Sequence, residues 1–451
     1  MSEHAALLGR AGFDAVADRV LAASTADQTE VVVLGTDSSL TRFANSGIHQ
    51  NVAERNVEIR VRAIVGKRAG VATTNDLSEA AVLRVVERAI EAARRQPEDP
   101  DLVDLPSPLP VEPVAGFSQA TADCTPEQRA AMVGAICRLA NEASLKASGA
   151  CATETSEIGV ANSRGVRLHE LRSRASLLTV VLDDEGSGYA EQTALDVSAI
   201  DAEALGREAV DKAVRSRGAV RVEPGEYPVV LETYAVGEML MYLAYMGFGA
   251  LSLLEGTSFL RNKLGLKIVD PRISVLDDPR DPAGLPGSFD YEGVPSQRVD
   301  LIKAGIGAGV VYDTRTAARN GRTSTGHALP APNTFGPFPS HLVMAAGDTP
   351  AADLAKGIER GLWVTRFNYV NVVKSDQAVL TGLTKDGTFL IENGEVTRPV
   401  KNLRFTQGVL DAWNGLSALG AERRLMEGWG GAVLAPAMRL DRFRFTGVSD
   451  V

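Results

Sequence analysis

The alternation of apolar and polar residues predicts strands and helices in three successive stretches of the chain. In the first stretch, apolar residues favour buried strands at 30–34 and 40–43, and residues 57–65 alternate with a period of two. A helix is predicted over 78–95, because its apolar residues recur at helical spacing. The Pro- and Asp-rich segment 96–113 is typical of a linker.

The second stretch begins with a capping-box sequence at 125–128, which predicts the N-terminus of a helix. Two strands are predicted to follow, at 150–158 and 166–182. The sequence Asn-Ser-Arg-Gly at 162–165 is a tight-turn sequence and should join them. Another amphipathic helix is predicted at 200–217.

The third stretch begins with a strand at 227–231 and an uncharged apolar run at 239–254. This run is shorter than the ~20 residues of a membrane-spanning helix, so we expect a helix buried in a core or a subunit interface. Short strands and turns fill the remainder. The pattern predicts a mixed α/β (α+β) fold, with N-terminal α/β domains at 1–96 and 114–221. A C-terminal domain, 227–451, should consist of mostly short strands and one long buried helix.

Charge and cysteine content narrow the classes of function. The net charge is −10 and no large Lys/Arg cluster offsets it, so direct binding to nucleic acid is not expected. Cys124, Cys137 and Cys151 form no CxxC pair and no even disulfide framework, which favours buried thiols in a reducing compartment. The N-terminus lacks the basic start and apolar run of a signal peptide. We therefore expect a cytoplasmic protein without a membrane segment.

Two short motifs resemble cofactor-binding sequences, but each lacks a residue that the binding requires. His169-Glu170 begins like the zinc-binding motif HExxH, but Ser173 and Arg174 occupy the positions where a second histidine is needed. Of the glycines at 305, 307 and 309, the first two match a dinucleotide fingerprint. Val310 stands where the third glycine of that fingerprint is required. A hairpin turn between two strands is the stronger interpretation.

Other polar residues offer weaker candidates. His327 and His341 lie in one Pro/Gly-rich stretch and could meet in space, although a pair alone is a poor zinc site. The carboxylates of Asp277, Asp278 and Glu292 flank predicted strands and could do acid–base work. Acidic residues at strand ends are more often turn formers or caps.

An ordered series of motifs in the third stretch resembles the C-terminal domain of the TldD/PmbA family. The series is Asp277-Asp278-Pro279, Glu292-Gly293-Val294-Pro295, Tyr312-Asp313, Ser324-Thr325-Gly326 and Ile391-Glu392-Asn393-Gly394. The sequences at 70–78 and 159–165 are similar to the family's first and central domains. The resemblance therefore covers nearly the whole chain.

The resemblance also implies a subunit type. TldD-type members carry an HExxxH helix early in the C-terminal domain, and a later cysteine completes their metal site. The corresponding helix here, 232–255, has no histidine, and Phe367-Asn368-Tyr369 has no cysteine. The chain thus resembles the TldE/PmbA-type subunit. The resemblance implies no catalytic residue and no metal or other cofactor in this chain, with zinc expected in a TldD-type partner.

In that family the two subunit types enclose a chamber and cleave peptides or unfolded polypeptides. The resemblance therefore implies a metal-free subunit of a heterodimeric metallopeptidase, which closes the chamber and holds substrate. Glu292, Thr325 and Asn333 are the residues we expect to contact peptide. Two alternatives stay open: a self-sufficient hydrolase that uses carboxylates, and a non-enzymatic binding protein of the gyrase-modulator type.

Overall fold

The computed structural model describes residues 7–449, and its elements confirm the mixed α/β class. The helices are α1 (Gly9–Ala23), α2 (Glu79–Arg95), α3 (Gln119–Ala122), α4 (Pro126–Glu142), α5 (Ala202–Arg215), α6 (Thr233–Leu243), α7 (Ala250–Leu254), α8 (Thr314–Arg319) and α9 (Val409–Asn414). The strands of the N-terminal half are β1 (Gln28–Ala44), β2 (Gly47–Val65), β3 (Arg68–Thr74), β4 (Lys146–Asn162), β5 (Arg167–Leu182) and β6 (Ser187–Ala194).

The strands of the C-terminal half are β7 (Gly225–Leu231), β8 (Val275–Asp277), β9 (Val299–Lys303), β10 (Ile306–Gly307), β11 (His341–Met344), β12 (Arg360–Lys374), β13 (Val379–Glu392), β14 (Glu395–Pro399), β15 (Leu403–Gly408), β16 (Leu416–Gly428) and β17 (Gly431–Val448). Several are longer than the segments that the sequence pattern predicts. The predicted start of the first domain, in residues 1–6, and the predicted end of the last domain, in residues 450–451, lie outside the described residues.

One antiparallel sheet joins the first two predicted units. Its strand order is β3-β2-β1-β4-β5-β6. The central pair is β1 with β4, which are in register from Glu30 opposite Asn162 to Phe43 opposite Gly149. On each side of this pair the chain has the same order of elements, with three strands between two helices: α1-β1-β2-β3-α2 and then α4-β4-β5-β6-α5. The sheet is therefore built from two equivalent units.

The two faces of this sheet have different neighbours. Val31 and Val33 belong to the core beneath α1 and α2, whereas Val32 points to the other face and packs with Phe289 of the C-terminal half. Phe43 belongs to a further core with residues of α4 and α5. Because side chains alternate along a strand, one face holds all four long helices and the other faces the C-terminal half.

In the C-terminal half, five strands pair in a closed circuit. β7 pairs with β12, β12 with β13, β13 with β15, β15 with β17, and β17 returns to pair with β7. Four phenylalanines pack together in its core, with ring centroids 4.5 to 5.7 Å apart: Phe367, Phe405, Phe443 and Phe445. β17 also pairs with β11 and β16. Several strands of the sheet therefore pair with this one long strand.

The apolar run predicted as one helix is observed as α6, a π-helical turn over Ala244–Phe248, and α7. The break occurs at Gly249, whose backbone is extended. A β-carbon there would lie 2.5 Å from the carbonyl oxygen of Pro337, so glycine permits this close approach. Within the described chain, no helix combines the length and apolarity that a membrane span requires.

Several local predictions are confirmed. Thr125 and Gln128 form the predicted capping box at the start of α4. The turn at 162–165 joins β4 to β5, and the turn before Ile306 joins β9 to β10 as an antiparallel hairpin. The two strands predicted at 30–34 and 40–43 are one continuous strand, β1. Polar residues in between are tolerated because β1 has a strand partner on both sides.

A partly buried ionic network around the buried Lys212 joins the two halves of the molecule. Lys212 of α5 places its Nζ 2.8 Å from Glu208 Oε1 and 2.6 Å from Glu232 Oε2, where Glu232 precedes α6. Arg424 of β16 contacts Glu208 at 2.9 Å. Removing one partner of such a network leaves a buried charge unpaired, so the network fixes how α5 sits on the C-terminal sheet.

The contact between α2 and β3 generates a stability prediction. At Gly70, a β-carbon would lie 2.1 Å from the backbone N of Ala93 and 2.4 Å from the carbonyl oxygen of Ala89. Gly70→Ala should therefore separate helix from strand and lower the free energy of unfolding by at least about 2 kcal/mol. The measurement is urea denaturation followed by circular dichroism.

Gly134 of α4 provides the matched control, because a β-carbon there meets no atom within 4 Å. Gly134→Ala should raise the free energy of unfolding by about 0.5–1 kcal/mol through helix propensity. Equal effects of the two alanines would contradict the close packing of α2 on β3.

Candidate functional site

Five aromatic side chains form a contiguous patch beside α6. We call them the aromatic cluster: Tyr242, Tyr245, Phe335, Phe338 and Trp429. The Tyr245 ring stacks on Phe335 with centroids 5.5 Å apart and meets Trp429 edge-on at 5.5 Å. The exposed fractions are 57% for Trp429, 45% for Tyr245 and 41% for Phe335. Exposed apolar patches of this kind commonly mark binding surfaces.

Four separate segments supply these rings, and one of them is the loop before β11 that carries Phe335 and Phe338. Tyr242 lies on α6, and its hydroxyl donates a hydrogen bond to the Val370 carbonyl oxygen at 2.5 Å. Tyr245 lies on the π-helical turn that follows. Trp429 lies in the turn between β16 and β17, next to the small residues Gly428 and Gly430 that pack against Met241 of α6. The cluster is therefore held by the interrupted helix and the β16–β17 turn.

One cavity borders the aromatic cluster and another borders the β16–β17 turn. A groove of about 210 Å³ borders the rings of Tyr245 and Phe335 and has Glu255 at its rim. Beside the β16–β17 turn, a cavity of about 280 Å³ is lined by Arg174, Glu427 and further residues of both halves. Arg174 on β5 pairs with Glu427 and, at 3.0 Å, with Glu154. These ion pairs link β5 of the first sheet to the end of β16, next to Trp429.

His327 and His341 do meet in space, and Asp277 lies between them. Asp277 is fully buried, and its Oδ1 lies 2.8 Å from His327 Nε2 and 3.8 Å from His341 Nδ1. Its Oδ2 accepts a hydrogen bond from the backbone N–H of His341 at 2.7 Å. Burial would raise the pKa of Asp277, but the two imidazoles hold it below the ordinary value. Burial lowers the pKa of His341 to about 4.

Two of the residues predicted to contact peptide line one cavity. Glu292 and Asn333 border a space of about 560 Å³ between α2, the linker and the C-terminal loops, and Thr325 is not among its lining residues. Glu292 Oε1 lies 3.5 Å from Arg62 of β2, which also pairs with the buried Glu30 at 2.8 Å. Burial raises the pKa of Glu30, and the charge of Arg62 opposes that shift.

The side chains of Thr325 and Asn333 make hydrogen bonds typical of turns. Thr325 Oγ1 accepts a bond from the Tyr312 backbone N–H at 2.8 Å and lies 2.9 Å from His327 Nδ1. Asn333 Oδ1 accepts the Phe335 N–H at 2.8 Å, as in an Asx turn. Peptide contact by Glu292, Thr325 and Asn333 stays a prediction.

The carboxylates of the hydrolase alternative do not share a cavity. Asp277 is buried in the histidine cluster, and Asp278 accepts the Arg280 N–H at 3.1 Å in a turn. Glu292 lies instead beside Arg62, and its Oε2 accepts the Thr314 N–H at 3.1 Å. His169 lies on β5 as a strand residue, with its Nε2 2.8 Å from Glu157.

Models of one protein family match the chain over three consecutive regions. They are described as PmbA/TldA metallopeptidase domain 1, central domain and C-terminal domain, and they match residues 29–93, 122–217 and 224–447. The chain belongs to the PmbA/TldD metallopeptidase family. The matches leave unassigned mainly the linker and the two chain ends.

Individual members of the PmbA/TldD family are distant in sequence. Metalloprotease PmbA of Escherichia coli O157:H7 is 25% identical over 93% of this chain and 93% of its own. In Haemophilus influenzae, a TldD homolog is 25% identical over 76% of this chain and 75% of its own. A PmbA homolog from the same organism is 26% identical over 80% of each.

Other relatives are metalloproteases from Methanothermobacter thermautotrophicus, Buchnera aphidicola and Synechocystis, which are matched over 61%, 47% and 46% of their own length. The chain therefore spans about half the length of these relatives. The structure of TldE from Thermococcus kodakarensis superposes with a TM-score of 0.89 at 22% identity, covering 96% of this chain and 99% of that one. At that identity the match shows the fold.

The zinc implied by the PmbA/TldD family name does not fit the residues of this chain. Where the family resemblance leads one to expect histidine ligands, α6 and the π-helical turn present Met241, Tyr242 and Tyr245. Phe367, where the resemblance leads one to expect a cysteine nearby, is buried among aromatic rings. Within residues 7–449, no group of three His, Cys, Asp or Glu side chains could hold a metal ion.

Sequence reasoning missed the aromatic cluster, because its residues are far apart along the chain. The only available signal was the spacing of Tyr242 and Tyr245, which three residues of helix place on one side. Phe335 and Trp429 join them through loops whose positions the tertiary structure sets.

The buried His341 predicts a pH-dependent stability. Its imidazole binds a proton near pH 6.5 when unfolded but only near pH 4 when folded. The stability that depends on a neutral, buried His341 is fully present above pH 6.5 and is lost as the pH falls towards 4. A fall of the pKa of His341 from 6.5 to about 4 corresponds to about 3 kcal/mol of stability at most.

His341→Leu keeps the backbone N–H that Asp277 accepts and removes the titrating ring. In urea unfolding between about pH 7 and pH 4.5, wild type should lose more stability than this variant. Parallel pH profiles of the two proteins would rule out a depressed pKa at His341.

Proposed function

We propose that this chain is the metal-free, TldE/PmbA-type subunit of a heterodimeric metallopeptidase that cleaves peptides or unfolded polypeptides. Membership of the PmbA/TldD family and the TldE-like fold support the general assignment. The subunit role rests on one observation: the helix that holds zinc ligands in TldD-type members here carries aromatic rings. Hydrolysis is accordingly assigned to a partner that would hold zinc, and substrate binding to this chain.

The aromatic cluster is suited to holding unfolded polypeptide. Exposed rings of tryptophan, tyrosine and phenylalanine bind apolar side chains with little loss of side-chain entropy. The acidic Glu255 at the rim of the adjoining groove favours peptides that also carry basic residues. Such contacts accept many sequences, which matches a substrate class defined by the unfolded state.

The partner in this proposal is a TldD-type HExxxH subunit. The presence of a TldD homolog and a PmbA homolog in Haemophilus influenzae supports a pairing of two different members of the family. We propose the cytoplasm as the location, on the basis of the free cysteines at 124, 137 and 151.

Metal content and activity test the subunit role. Purified alone, the chain should carry less than about 0.1 zinc per chain and cleave no unfolded peptide, because it offers no imidazole–thiolate set. Addition of a TldD-type subunit should produce cleavage that a chelator abolishes. The measurements are metal analysis by mass spectrometry and a fluorogenic casein assay. One tightly bound zinc per isolated chain, or chelator-resistant cleavage by it, would defeat the proposal.

Substitution of Trp429 tests substrate holding separately. In the reconstituted complex, Trp429→Ala should lower kcat/KM about tenfold, mainly through KM, because a ring contact with substrate is lost. Trp429→Phe should retain most of the activity. Leu109→Ala, at an apolar linker residue that is 53% exposed, is the matched control and should have no effect. Zinc content of the complex should be the same in all four proteins, so a loss of zinc with Trp429→Ala would contradict a substrate role.

A further inference from the structure

Glu238 on α6 is a half-buried carboxylate without a partner. Within residues 7–449, its side chain forms no hydrogen bond and no ion pair. Its oxygens stay within reach of solvent, because they are not among the enclosed polar atoms of that part of the chain. Burial raises the pKa of Glu238, the charge of Glu191 raises it further, and Arg366 opposes both. A carboxylate in this position costs free energy that an incoming cation would offset.

The charged groups closest to Glu238 are held by other residues. Arg366 Nε donates a hydrogen bond to Asp386 Oδ2 at 2.7 Å, and the guanidinium lies 4.3 Å from the centroid of the Tyr189 ring. The Glu191 carboxylate accepts a hydrogen bond from the Tyr189 hydroxyl. The chain itself therefore leaves the negative charge of Glu238 uncompensated.

Glu238 shares one side of its helix with two rings of the aromatic cluster. Glu238, Tyr242 and Tyr245 follow one another at spacings of four and three residues, which places them in one row along a helix. Burial raises the pKa of the Tyr242 hydroxyl, and the charge of Glu238 adds to that rise, so these two side chains lie close together. The Tyr242 ring in turn meets Trp429 with ring centroids 6.0 Å apart. The unpartnered carboxylate thus lies beside exposed aromatic rings.

We propose that Glu238 and the neighbouring rings form a subsite for a lysine or arginine side chain of a bound polypeptide. The carboxylate attracts the ammonium or guanidinium group, and the rings of Tyr242 and Trp429 attract the same cation through their π electrons. The apolar stem of a lysine or arginine packs favourably on such rings. This subsite rests on the peptide-binding role proposed above. It adds a preference for substrates in which a basic residue lies next to an apolar one.

Two peptides that differ in one charge test the subsite. They are unfolded, fluorescent and identical in sequence, except that one carries lysine and the other acetyl-lysine beside a leucine. Their binding to the isolated full chain is measured by fluorescence anisotropy. Wild type should bind the lysine peptide at least about fivefold more tightly, because acetylation removes the charge. Glu238→Gln should reduce this preference to less than about twofold, through weaker binding of the lysine peptide alone.

Glu226→Gln is the matched control. It removes the same charge, but Glu226 is exposed on β7 and lies opposite Arg444, far along β17 from the turn that carries Trp429. This variant should keep the preference of the wild type for lysine. In urea unfolding, Glu238→Gln should be at least as stable as the wild type, because the carboxylate has no partner to lose.

Five results would each overturn the subsite. They are no binding of either peptide, equal binding of both peptides by the wild type, a preference that persists in Glu238→Gln, an equal loss of preference in Glu226→Gln, and a less stable Glu238→Gln, which would indicate a structural role. None of these results decides the subunit role. That role depends on zinc content and on cleavage by the reconstituted complex.

Discussion

The antiparallel pairing of β1 with β4 is the contact on which the rest of the structure depends. It joins two equivalent units in register from Glu30 and Asn162 to Phe43 and Gly149. Because side chains alternate along each strand, this single register sends Val31 and Val33 towards the helices and Val32 towards Phe289. A shift by one residue would exchange the two faces and remove the surface on which the C-terminal half packs.

In the C-terminal half, the residues that form the core are different from the aromatic residues that are exposed at the surface. The closed circuit of strands buries Phe367, Phe405 and Phe443, and the buried face of α6 contributes Met239 and Leu240 to the same core. Tyr245 and Trp429 are largely exposed, so the core does not require their identity. A helix in this position can therefore carry different exposed side chains without a change of fold.

The candidate site shows which contacts could be predicted from the sequence and which could not. The proximity of His327 and His341 was foreseen as a possibility, but the buried Asp277 between them was considered only as a separate acid. Glu292 and Asn333 share a cavity, whereas Thr325 lies outside it and bonds the backbone of Tyr312. The motifs that carry the family resemblance thus include residues that hold turns. In a single sequence, residues that form short-range hydrogen bonds of this kind cannot be distinguished from residues that bind a ligand.

The sequence by itself determined the local elements, the fold class and the family. The capping box at Thr125, the turn at 162–165 and the apolar periodicity of α2 each depend on residues close together in the chain. Tertiary structure alone decided the pairing of β1 with β4, the closure through β17 and the aromatic cluster. These features join residues that are far apart, and periodicity specifies which face of an element is buried but not which partner buries it.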